Sequence, residues 1–106
     1  MRDPSPRNST VSFTHIVTFS WKTEHADETA LTTALLALVR TLPGVDLYLC
    51  GPDAGVTTGN WDFGVVGRFA TQDAFVHYRD HPEHQRILRE LIAPHLAYKS
   101  VVQIVE

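Results

Sequence analysis

The chain has 106 residues, 43% of them apolar and 20% charged, with a formal net charge of −3. That length supports a single domain, hiding roughly 60–70% of the surface its unfolded form exposes, and the interspersed charges leave no footprint for nucleic acid or an anionic membrane. The lone cysteine, Cys50, cannot form an internal disulfide and fits a cytoplasmic protein, while no run approaches the roughly 20 apolar residues of a membrane span.

The opening decapeptide, MRDPSPRNST, lacks the apolar core of a leader and reads as a disordered tail, so the domain is expected over 11–106. From residue 12 the pattern has period two. Phe13, His15, Val17, Phe19 and Trp21 share one face, as on a strand with one strongly apolar side. Leu31, Leu35, Leu38 and Leu42 then recur at helical spacing, and Pro43-Gly44 stops that helix. A short strand is expected at 45–50, followed by a turn-rich hairpin loop that could rim a pocket. Trp61, Phe63, Val65, Gly67 and Phe69 alternate on a third strand.

Thr71 is a natural N-cap for the next helix, with Asp73 in its first turn. Pro82 must interrupt it, because the residue before a proline is driven from helical angles while proline suits a new first turn. The segment therefore divides into helices of about 71–79 and about 82–93, and residues 98–105 form the last strand. Strand, helix, strand, strand, helix, strand is the order of an α+β, ferredoxin-like βαββαβ domain with a four-stranded antiparallel sheet. Helices cover one face. The other still carries Ile16, Tyr48, Val66 and Val102 or Ile104 according to register, an apolar patch that a second copy would bury in a homodimer.

Three stretches, HIVTFSWK (15–22), LPGV (42–45) and YRDHPEHQ (78–85), resemble the stress-responsive α/β-barrel domain family of the dimeric α/β barrels. The likeness spans about residues 12–105, and Tyr-x-x-His-Pro-x-His is its most specific part. It implies a dimeric α/β barrel. From the polyketide cyclases of that family it implies ring closure by intramolecular aldol condensation, with neither metal nor cofactor. The catalytic pair of those enzymes falls on Tyr78 and His84, and a pocket histidine of the first strand on His15. Phe63 stands where a further pocket histidine is expected, which argues for a different substrate.

The residues themselves suit acid/base work. A histidine in the first turn of a helix tends to stay neutral and can take a proton from carbon beside a carbonyl. A tyrosine hydroxyl held close by can donate to the oxygen where charge develops. The alternative is that Tyr78 and His84 only hydrogen-bond each other across the helix break. His15 reads either as a bonded core histidine or as a pocket group beside apolar walls. Phe19, Trp21, Phe63, Val65 and His81 are the expected substrate contacts, although His81 also suits a turn role. His77, His25 and His95 read as surface residues, Lys22 as a solvated lysine that could instead attract an acidic substrate tail, and Arg68 as a dimer contact. A metal site on His77, His81 and His84 is disfavoured by the break at Pro82.

Three functions fit. The first is a cofactor-free cyclase or isomerase on a hydrophobic, carbonyl-rich small molecule. The second is a non-catalytic stress-response or small-molecule-binding dimer. The third is a cofactor-independent monooxygenase.

Overall fold

The computed structural model describes residues 12–106; the expected tail at 1–10 lies outside them. Strand β1 (Phe13–Trp21) leads to α1 (Glu28–Val39), β2 (Val45–Pro52), β3 (Phe63–Phe69), α2 (Gln72–Asp80), α3 (Pro82–Ile87) and β4 (Leu96–Val105). The sheet is antiparallel in the order β2-β3-β1-β4. This is the ferredoxin-like arrangement, and the sheet is open rather than closed into a barrel within one chain.

Local chemistry sets the helix starts. Asp27 caps α1 by accepting from the Ala30 amide at 3.0 Å, and Thr71 caps α2 by accepting from Ala74 at 3.1 Å. α1 ends at Val39, before Leu42, and Gly44 follows with φ +79. A side chain at Gly44 would also meet Ala74 at 2.8 Å, so the turn and the α2 contact both require glycine. The expected second helix is shorter than its pattern: α3 passes at Leu88–Ile92 into a wide π turn and then a 3₁₀ turn at Ala93–His95.

The core lies between the sheet and the helices. Phe13, Val17, Phe19 and Trp21 of β1 and Phe63, Val65 and Phe69 of β3 pack there against Leu31, Leu35, Phe75 and Ile87. Tyr48 departs from expectation. A register shift between Val45 and Leu47 sets it opposite Gly67 on the helix-facing side, not on the open face. Gly67 makes room for the ring: a Cβ there would stand 3.2 Å from Tyr48 Cδ1 and 2.9 Å from Phe69 Cε1.

On the open face, pairing aligns Leu49, Val66, Ile16 and Val102 in one row across all four strands. Leu47, Leu49, Val102 and Ile104 are exposed there. Arg68 is exposed on the same face. β3 begins at Phe63, later than its alternation suggested, because Asp62 is held at the end of β1: its carboxylate accepts from the Trp21 amide at 2.7 Å and its own amide donates to Phe19 at 2.8 Å.

Candidate active site

The break between α2 and α3 builds the site. His81 is extended (φ −60, ψ 134), as a residue before proline must be. A continuous helix would have used the Arg79 carbonyl in its ladder; the break frees it. His84 Nδ1 takes it at 2.9 Å, joined by the Gln85 side-chain amide at 2.6 Å. A carbonyl only accepts, so Nδ1 carries the proton and Nε2 keeps its lone pair. No partner for Nε2 occurs among the described residues.

His84 is buried and lies against Tyr78, the two rings tilted by 43° with centroids 4.3 Å apart. The two side chains do not hydrogen-bond each other. The Tyr78 hydroxyl lies 2.7 Å from that of Tyr48, which the register shift in β2 brings to the helix-facing side. Tyr48 does not border the cavity described next, whereas Tyr78 does. With Tyr48 as donor, the proton of Tyr78 is left for another acceptor.

His15, Tyr78 and His84 all border one cavity of about 220 Å³ between the sheet and the helices. Val17, Phe19, Val65, Phe75, Leu88 and Ile92 give it apolar walls, the last two from the π turn. Lys99, Val101 and Gln103 of β4, the strand no helix covers, form its exposed side. The Gln103 amide nitrogen donates to His15 Nδ1 at 3.0 Å, which leaves the His15 proton on Nε2. One imidazole thus offers a lone pair and the other an N–H.

Of the other expected contacts, Phe19 and Val65 border the cavity, and Trp21, Phe63 and His81 do not. Trp21 and Phe63 pack together at the far end of β1, where the indole N–H donates to Glu28 at 3.0 Å. His81 caps α3, its Nδ1 accepting from the Glu83 amide at 3.0 Å. His77 is exposed with its ring 6.0 Å from that of His81, and His95 Nδ1 bonds the Glu24 carbonyl at 3.1 Å; of these histidines none borders the cavity. Among the described residues no group of His, Cys, Asp and Glu side chains is arranged to hold a metal ion.

Burial, reinforced by repulsion from His84 when protonated and from Lys99, lowers the pKa of His15 to about 4. Burial also lowers that of His84, partly offset by its bond to the Arg79 carbonyl. Both rings are therefore neutral near pH 7. The unfolded chain binds these protons near pH 6.5 and the folded chain resists them, so stability is intact above about pH 6.5 and declines toward about pH 4. Thermal unfolding followed in pH steps is expected to show that decline, with a shallower slope for His15→Gln. Burial raises Tyr78 to about 12 and raises Tyr48 further, so both hydroxyls stay protonated at neutral pH.

The sequence matches the family described as the stress responsive A/B barrel domain over residues 13–105. Among solved structures, a dimeric ferredoxin-like protein of unknown function from Thermobifida fusca is 37% identical, with 91% of this chain and 92% of that chain covered and a TM-score of 0.80. A Dabb-family protein from Mesorhizobium loti is 23% identical (91% and 97% covered, TM-score 0.66). A hydroxynitrile lyase from Passiflora edulis is 16% identical (90% and 93% covered, TM-score 0.67). No curated protein matches the sequence.

Proposed function

The chain belongs to the stress responsive A/B barrel domain family, and from that premise we propose that it is an acid/base enzyme of the polyketide-cyclase or isomerase kind, acting on a hydrophobic, carbonyl-rich molecule. The observation that supports this most is a neutral His84 whose free Nε2 belongs to a ring bordering an apolar cavity, packed against Tyr78. His84 Nε2 takes a proton from carbon beside a carbonyl. The Tyr78 hydroxyl, backed by Tyr48, donates to the oxygen of the resulting enolate. The enolate carbon then attacks a second carbonyl of the same chain, and the proton on His84 passes to the new alkoxide. His15 positions the substrate through its Nε2–H. No cofactor enters this scheme. The hydroxynitrile lyase shares the fold alone at its identity and lends no substrate.

Incubation with a linear poly-β-keto ester tests the reading: a ring-closed or isomerised product formed faster than in buffer is expected, and an untouched ester counts against it. The Tyr48–Tyr78 bond favours a second reading, a non-catalytic binding dimer in which the polar groups satisfy one another; it predicts binding of such esters without turnover.

In either reading a second copy of the chain covers the open sheet face. The Thermobifida fusca structure is described as dimeric, and the exposed row through Leu49 and Val102 is too apolar to face water. Val102→Asp would bury an unpaired carboxylate in that contact. Sedimentation is expected to show a dimer for the natural chain and a monomer for this variant. No helix among the described residues is long and apolar enough to cross a membrane.

A further inference from the structure

We propose that the cavity selects molecules bearing a free carboxylate, and that Lys99 is the residue that binds it. The lining of the cavity includes two cations, Arg79 and Lys99, and no aspartate or glutamate, although the chain carries 12 acidic residues against 9 basic ones. Arg79 is already occupied: its guanidinium meets the Asp80 carboxylate at 2.8 and 3.2 Å. Lys99 has no carboxylate partner among the described residues.

Its place on β4 gives the charge a direction. Lys99 pairs with Phe19 in register, so it stands on the helix-facing side of the sheet, on the exposed flank of the cavity with Val101 and Gln103. Its charge reaches His15, whose imidazolium it disfavours. A lysine there lays its aliphatic stem along apolar wall and keeps its ammonium at the mouth. The deeper polar groups, Tyr78 and His84, are neutral, so among the described residues the only uncompensated charge a ligand meets is positive and lies at the entrance. A carboxylate held there leaves the apolar part of the molecule to run inward. Lys22, the other lysine suited to attract such a tail, does not border the cavity.

The inference rests on the proposed function only in taking the rest of the substrate to be carbonyl-rich; the charge argument is independent of turnover. Calorimetric titration of the full chain with octanoate and with octan-1-ol, at low salt, separates the two. The natural protein is expected to bind octanoate roughly three- to tenfold more tightly than octan-1-ol, the scale of one partly screened ion pair. Lys99→Gln is expected to abolish that preference while leaving octan-1-ol binding in place, and Lys22→Gln to leave both unchanged. A preference that survives in Lys99→Gln, an equal weakening of both ligands, or no binding of octanoate by the natural protein would each overturn the proposal. Octanoate preference in a protein that turns over no ester would leave Lys99 in place and remove only the catalytic reading.

Discussion

Replacing His84 with glutamine is expected to slow turnover by about 10²–10⁴-fold, the usual contribution of one positioned general base. Glutamine is the informative choice because its amide can still donate to the Arg79 carbonyl, the acceptor of His84 Nδ1, while offering no basic nitrogen. The packing against Tyr78 is also largely kept, so the loss reports chemistry rather than collapse. His84→Ala should be equally inactive but less stable, since it leaves a void beside Tyr78 and only the Gln85 amide on the Arg79 carbonyl. Rates with a poly-β-keto ester, together with melting temperatures of both variants, check this. Because burial lowers the pKa of His84, the natural protein should hold its rate down through pH 6.5 and fall only in more acid solution.

Tyr78→Phe is expected to cost about 10²–10³-fold in kcat, the loss seen when one oxyanion donor is removed. Its effect on stability is smaller, roughly 1 kcal/mol, because the ring and its contacts with His84, Phe69 and Phe75 remain and only the bond to Tyr48 is lost. Tyr48→Phe separates the two hydroxyls. It removes the donor behind Tyr78 without touching the cavity lining, so it should lower kcat by less than Tyr78→Phe and leave KM unchanged. Equal losses in the two variants would mean that the pair serves only to hold β2 to α2.

These residues were unequally legible in the sequence. The period-two pattern of β1 placed His15 among Phe13, Val17 and Phe19 because a central strand packed on one face shows its alternation plainly. Pro82 was as readable, since the restriction on His81 is local, and from it came the separation of His84 from His77 and His81. Tyr48 was not, because a register shift two residues earlier reverses its side, and such a shift leaves no mark in apolar alternation. β4 hid Lys99 and Gln103 for a related reason. Val101 and Val102, like Ile104 and Val105, place apolar residues on both faces, so only the pairing with β1 reveals which side Lys99 occupies. The bond between Gln103 and His15 joins residues 88 apart in sequence, beyond any local signal. Phe63 and Trp21 were apolar and correctly faced, but the cavity lies where the helices leave space, and helix placement is not written in strand alternation.

Whether His84 removes a proton from carbon can be measured without knowing the natural substrate. The measurement is exchange of the α-hydrogens of 2-octanone with deuterium in heavy water, followed by proton NMR at neutral pH. The account predicts exchange faster than in buffer for the natural protein, a slower rate for Tyr78→Phe, and the buffer rate for His84→Gln. Exchange at the natural rate in His84→Gln, or no acceleration by the natural protein, would contradict it.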